Sequence, residues 1–553
     1  MRRFLFGFVF SLSLLALASP GLAQKAGSKY VEDTTHGFEF KPLKEWAGIP
    51  VTAQLKASEV IARFSSEDLR IKLPNNSIAQ GKAELYIFTF ETPTAVTGGE
   101  SGGLRSRAGG ETRRPTIEEW IPRMFDFRDF KEEGLKDPII EPEEEKLKKG
   151  LVARRAAYGA NSPNGYRLVI DTWTVTLDDF DLVFLFVLPS QGDRDDKKWL
   201  RTFESSVKSL RLIEKVAGPK KVKEGASYEE QFAYHKAEAE KTPGWTAVET
   251  PSEQYIIKTS SDDDDFIDDV IDRLEASRRV FEQDFPPSKD IQHVSVVRVC
   301  KNQDEFSQYG NTRPGVAGYF NPGTTELVLY DNKERDRRET LAVMSHEAFH
   351  QYCYFLFDRS EAHRWFDEGH GDFYGCYEFK GKRAIPTAHM PGGLDRYQNA
   401  KTLVREDKHK PIFVHINYNH PQWQGQGPGN TSPYEQSWSI IYMLRMGTLG
   451  KVSKKVWKDE YEDIIPNYIR VLHEGYQEAY AEIRKTLEEE LSSLPEGDKA
   501  AEIRAAIEAQ LKRPRVGEER KQQIWKAAME ASWGQIDIEE FEENWKEFVL
   551  DHM

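Results

Sequence analysis

The chain has 553 residues, 39% of them hydrophobic and 30% charged, with a formal net charge of −15 at pH 7. That length leaves room for two or three domains, each with its own core. The acidic balance argues against a nucleic-acid binder, which needs a positive face for phosphates, and three cysteines are too few for a disulfide framework.

Met1 to Ala23 reads as a secretory signal: Arg2 and Arg3 give a basic start, Phe4 to Ala18 an apolar stretch, and Gly21-Leu22-Ala23 a small-residue cleavage site. The mature protein is expected to be exported, to the periplasm, the cell surface or the medium. No second run of about 20 apolar residues follows, so no stable membrane span is expected once the signal is removed.

Residues 25–215 alternate between strand-like and helical patterns. Phe38-Glu39-Phe40, Leu85 to Phe90 and Leu182 to Leu188 read as strands by their β-branched and aromatic content. Thr116 to Ile121 opens a helix, and Trp199 to Val207 closes the unit with another. This predicts an α+β domain. From its opening Gly-Phe-x-Phe strand to its closing Trp-Leu-x-x-Phe-x-x-Ser-Val helix, the order of elements resembles the PsbP-like fold; no catalytic constellation stands out in it, so binding, targeting or shielding is the expected role. Within it Gly98 to Arg114, rich in Gly, Ser and Arg, is expected to be an exposed loop.

Residues 216–244, with Pro219 among lysines, look like a linker. A second domain, 245–450, opens with short strand patterns at Trp245 to Thr250 and Tyr255 to Lys258. Asp262 to Asp265 invites a calcium reading but lacks the glycine and distal Glu of a calcium loop, so these acids are expected to cap the next helix. Strands follow at Val294 to Val299 and Glu326 to Tyr330, with a glycine-rich turn at Gly315 to Gly323 between them.

The next helix carries His346-Glu347-Ala348-Phe349-His350. Residues four apart lie on one helical face, so His346 and His350 can aim both imidazoles at one cation, a zinc ion, while Glu347 takes a proton from a bound water. Leu341, Met344, Phe349 and Leu356 predict burial. Eighteen residues past His350 stands Glu368, a candidate third ligand on a second helix, and one turn further Asp372, placed to orient a ligating histidine. His370, His363 or Asp372 are alternatives to Glu368. Cys353 and Cys376 flank the two site helices and could be joined by a disulfide, or could remain buried thiols with Cys300.

On these residues the chain resembles the gluzincin metallopeptidases, in particular peptidase-MA-like families in which H-E-x-x-H is followed by an aromatic-apolar-x-Glu-Gly segment. The resemblance covers about 245–450 and implies a zincin-like domain: a small mixed sheet, active-site helices and a sheet edge, placed within Gly315 to Tyr330, that receives an extended substrate. It departs in a slightly short gap before Glu368 and in His370, where an apolar residue is usual.

Ala384 to Pro433 is expected to be a long irregular insertion walling the site. Tyr434 begins the next helix, and the resemblance makes it the candidate oxyanion donor, with His415 and His420 as alternatives. Residues 451–553 are charged and helical, with Tyr468, Leu472, Tyr476 and Tyr480 on one face, and Trp533, Phe541, Trp545 and Phe548 available for docking.

The expectation is an α+β chain: an N-terminal sheet domain, a zincin-like catalytic domain and a helical C-terminal region. It would act as an exported zinc-dependent peptidase on a peptide or protein substrate. The alternative is a secreted binding or scaffold protein whose metal site only staples the fold. A structural zinc is normally closed by a fourth protein ligand, so His370 or His363 beside Glu368 would favour that reading.

Overall fold

The computed structural model describes residues 26–73, 77–91, 114–124, 138–162, 165–218, 222, 226–287, 294–310, 312, 315–334, 336–380, 383–390, 396–424, 433–494, 498–512 and 514–553. The signal segment and the loop residues 98–113 lie outside this set. The chain is α+β with a helical C-terminal region, and it divides into two compact units at Gly218. Among the described residues no helix is long and apolar enough to cross a membrane.

The N-terminal unit is built on seven antiparallel strands: β1 (Ala47–Ile49), β2 (Val60–Ser65), β3 (Glu84–Glu91), β4 (Pro138–Lys146), β5 (Val152–Asn161), β6 (Arg167–Thr176) and β7 (Phe180–Pro189). Their order is β1-β2-β3-β7-β6-β5-β4. The two apolar runs read as strands become the central pair β3 and β7, and their two-residue period fills two separate cores. Leu85, Ile87, Leu182, Phe184 and Phe186 face one side, and Tyr86, Phe88, Val183 and Leu185 face the other. Helix α1 (Ile117–Met124) covers the second face with Ile117, Trp120 and Ile121, and helix α2 (Asp193–Val207) covers the first with Trp199, Phe203 and Val207. Strand β4 is mostly exposed, and its run of glutamates gave no apolar signal in the sequence.

The second unit begins inside the segment expected as a linker. Residues 216–244 contain a helix, α3 (Tyr228–Glu240), opened by a capping box between Ser227 and Glu230. It packs on the first strands of the next sheet, and the Tyr228 hydroxyl donates to the carbonyl of Tyr255 at 2.9 Å. The helix escaped detection because only Ala239 is buried, so it shows no amphipathic period.

The sheet of this unit has five strands: β8 (Thr246–Glu249), β9 (Tyr255–Thr259), β10 (Ser295–Cys300), β11 (Gly318–Asn321) and β12 (Glu326–Tyr330), in the order β8-β9-β10-β12-β11. The pairs β9/β10 and β10/β12 are parallel, and β8 and β11 are antiparallel edges. Helix α4 (Asp264–Asp284) crosses between β9 and β10 and starts on Asp263, whose carboxylate accepts the N–H of Phe266 at 3.0 Å. Asp262 pairs with Lys333 and Asp263 with Arg337, so this acidic run caps a helix, as the sequence suggests.

Two helices then carry the metal motif, α5 (Arg337–Leu356) and α6 (Arg364–Gly375). Residues 384–433 are more helical than expected, with α7 (Arg396–Arg405) burying Ala400, Leu403 and Val404. Helices α8 (Pro433–Thr448) and α9 (Ile464–Ser493) follow. One core runs from Tyr255 through Met344, Phe349 and Phe366 to Trp533, Phe541, Trp545 and Phe548, so the C-terminal region packs into the same interior as the motif helices. All three cysteines are buried free thiols, which leaves Cys353 and Cys376 unlinked.

Candidate metal centre

Helix α5 starts at Asp336, whose carboxylate accepts the N–H of Arg338 at 2.9 Å. It is buried nearly all round, so the face that carries His346 and His350 lies inside the unit rather than on its surface. Helix α6 reaches it after a reversal in which Asp358 and Arg359 both take positive φ (52° and 68°). The close approach of α6 depends on its glycines. A β-carbon on Gly371 would stand 2.9 Å from the His346 ring, and one on Gly369 would stand 2.7 Å from Ile441 and 3.0 Å from the carbonyl of Ser437 on α8.

Three ligand atoms converge there. His346 Nε2 and His350 Nε2 are 3.0 Å apart, and Glu368 Oε2 lies 3.3 Å from the first and 3.4 Å from the second. A tetrahedral zinc with bonds of about 2.0–2.1 Å has ligand-to-ligand edges of about 3.3–3.4 Å. The donor set therefore fits a zinc ion in both chemistry and spacing. Two ring nitrogens this close repel when both carry protons, whereas a divalent cation between them satisfies both and the carboxylate together.

Each ligand is oriented from behind. His346 Nδ1 lies 3.1 Å from Asp372 Oδ1, and His350 Nδ1 lies 2.8 Å from Asp367 Oδ1. The other oxygen of Glu368, Oε1, accepts from Arg364 at 3.2 Å, which leaves Oε2 for the histidines. Asp372 Oδ2 pairs in turn with Arg396 Nε at 2.9 Å, and Arg396 reaches Glu435 at 2.8 Å. In the metal-free chain burial opposes charge on His346, but Asp372 and Glu368 outweigh it and lift its pKa to about 9. His350 rises likewise, against its burial, through Asp367 and Glu368. Glu368 is held well below the usual carboxylate range by the two imidazoles in spite of its own burial.

Glu347 offers an oxygen within 4.8 Å of both imidazole nitrogens. Its carboxylate accepts the N–H of Phe320 at 2.9 Å, so it leans toward the edge strand β11. Tyr434 stands at the start of α8, with its ring against Trp423 at 5.2 Å and under the Arg396 guanidinium at 5.0 Å. Burial raises its pKa, and the negative charges of Glu368 and Asp372 add to the rise.

The other histidines weighed as ligands or donors each have a partner outside the ligand triangle. His363 Nδ1 meets the Tyr468 hydroxyl at 2.9 Å, its ring lies 4.2 Å from Trp525, and burial pulls its pKa to about 3. His370 is fully buried among Phe285, Phe349 and Phe366, with Nδ1 on the carbonyl of Phe366 at 2.8 Å. His415 is buried against Ser437 Oγ at 2.7 Å, and burial takes its pKa to about 3. His420 is exposed and accepts from Arg364 at 3.1 Å.

Sequence reasoning missed Asp367, Arg364, Arg396 and Phe320. Arg364 and Glu368 form an i,i+4 pair that spacing alone could have flagged. Asp367 sits beside a candidate ligand, and the helical turn puts it on the flank facing His350. Arg396 and Phe320 carry no local signal, because their roles come from chain crossings.

No family profile matches the chain, and no curated protein does. Among solved structures, a protein from Bacteroides thetaiotaomicron VPI-5482 is similar over 75% of this chain and 98% of its own, at 10% identity and a TM-score of 0.19, a likeness too slight to inform on fold or activity.

Proposed function

We propose that the chain is an exported zinc-dependent peptidase of gluzincin type, with His346, His350 and Glu368 as ligands and Glu347 as general base. The observation that carries the reading is the triangle of two imidazole nitrogens and one carboxylate oxygen, 3.0 to 3.4 Å on a side, with a second carboxylate beside it. A zinc ion held there would lower the pKa of a water to near 7 and polarise a scissile carbonyl. Glu347 would accept a proton from an attacking water and pass it to the leaving amine. Tyr434, kept protonated, donates to the developing oxyanion. An extended peptide adds to the free edge of β11, whose Phe320 already touches Glu347.

A closed structural site needs a fourth protein ligand; His363 meets Tyr468 and Trp525, and the His370 ring packs among Phe285, Phe349 and Phe366, two positions from Glu368 and so on another face of α6, which counts against that alternative. Export rests on the sequence of Met1 to Ala23 alone. The test is Glu347→Gln: zinc content should stay at the level of the unaltered protein while hydrolysis of a peptide library is lost. Hydrolysis at the original rate by the zinc-loaded variant would rule the mechanism out.

A further inference from the structure

The N-terminal unit has an open cleft of about 590 Å³, lined by Tyr30, Lys41, Lys148, Arg201, Glu204 and Lys208. Its volume is that of a small-molecule site. Four cations face one carboxylate in it, in a chain whose net charge is −15. That carboxylate, Glu204, is already engaged, by Lys208 at 2.5 Å and by Arg155 at 3.3 Å. Lys208 also reaches Glu145 at 3.2 Å, so its charge is spent as well. Lys41, Lys148 and Arg201 have no carboxylate partner among the described residues.

These side chains stand on a fixed frame. The backbone of Lys41 is tied on both sides: its N–H donates to Ser209 Oγ at 2.7 Å and its carbonyl accepts from Ser206 Oγ at 2.6 Å. Its ammonium lies over the Tyr30 ring at 4.8 Å, and Arg211 lies over the same ring at 4.1 Å. Arg201 and Glu204 on α2 and Lys208, the residue that caps its C-terminus, recur at helical spacing on one side. Lys148 comes from the turn between β4 and β5, where Lys149 takes a positive φ of 58°.

We propose that this cleft binds a multiply charged oxyanion of phosphate-ester chemistry. A single carboxylate neutralises only one of the three unpartnered cations. A phosphate monoester or a pyrophosphate brings two or more charges and at least three acceptor oxygens, which suits two lysine point charges and one arginine fork. The source is a soluble phosphate ester or the headgroup of a phosphorylated lipid.

The experiment is calorimetric titration of the full chain with inorganic pyrophosphate at low salt, beside co-sedimentation with phosphatidylcholine vesicles with and without phosphatidic acid. Pyrophosphate should bind, more weakly as salt rises, and Lys41→Gln and Arg201→Gln should each weaken it about tenfold, a change of about 1.4 kcal/mol. Lys44→Gln, at a position paired with Glu45 outside the cleft, should leave it unchanged. Sedimentation that requires phosphatidic acid and is reversed by pyrophosphate assigns the lipid source; pyrophosphate binding without sedimentation assigns a soluble ester. The proposal is overturned by absence of pyrophosphate binding at low salt, or by binding that both cleft substitutions leave intact at an unchanged melting temperature.

Discussion

Asp367→Asn removes the negative charge behind His350 and leaves the shape of the site almost unchanged. The carboxylate lies 2.8 Å from His350 Nδ1 and its side chain is only 19% exposed, so solvent screens it little. On the proposed reading its work is to hold a proton on Nδ1, which leaves the Nε2 lone pair for the zinc ion, and to raise the basicity of the ring. Loss of such a partner weakens metal binding by about 10- to 100-fold, or about 1.4 to 2.7 kcal/mol. Zinc affinity is measured by competition with a chromophoric chelator at pH 7. Proton release on zinc uptake, read by calorimetry in two buffers of different ionisation heat, gives a second readout. It should fall, because after burial Asp367 heads the causes of the raised pKa of His350. A zinc affinity within twofold of the original, together with unchanged proton release, would refute the assigned role.

Gly371→Ala should distort His346, because the new β-carbon meets its ring at 2.9 Å; zinc affinity should drop at least about tenfold, and loss of stability without loss of affinity would contradict this. Tyr434→Phe should lower kcat by about 10² to 10³ with zinc content unchanged, as removal of an oxyanion donor does, and an unaltered kcat would return the residue to packing. Acid should destabilise the fold through its buried histidines. The folded pKa of His415, about 3, lies below its ordinary 6.5, so its contribution is present above pH 6.5 and is lost as pH falls toward 3, by about 2 kcal/mol between pH 7 and 5. As pH is lowered from 7 to 5, urea midpoints of the metal-free chain should therefore fall more steeply than those of His415→Gln, and equal slopes would contradict the burial of that ring.

The site was legible where its chemistry is local. His346, Glu347 and His350 are fixed by helical spacing, and Glu368 with Asp372 by the same rule on the next helix, so five residues that the structure brings together were named from two short stretches. What remained hidden depends on how distant segments cross. Arg396 meets Asp372 because α7 packs on α8, the helix that lies against α6, and Phe320 meets Glu347 because β11 is an edge strand. In the fold, the central strands β3 and β7 announce themselves because both faces are buried and the runs are almost entirely apolar. Exposed elements such as β4 and α3 do not, since polar residues fill them and no period survives.

Helix α9 bears on more than packing. Its tyrosines hold the reversal between the two ligand helices: Tyr468 at His363, Tyr476 at the carbonyl of Glu361 and Tyr480 at Asp358 and Ser360, each within 3.1 Å. The angle between α5 and α6, and with it the distance from the histidines to Glu368, is thus anchored by residues over a hundred positions downstream. A chain cut at Gly450 would keep every candidate ligand and lose the brace that spaces them. A piece that keeps this spacing therefore extends at least through α9, and the two helices that bring His346, His350 and Glu368 together cannot be trimmed out as a cassette.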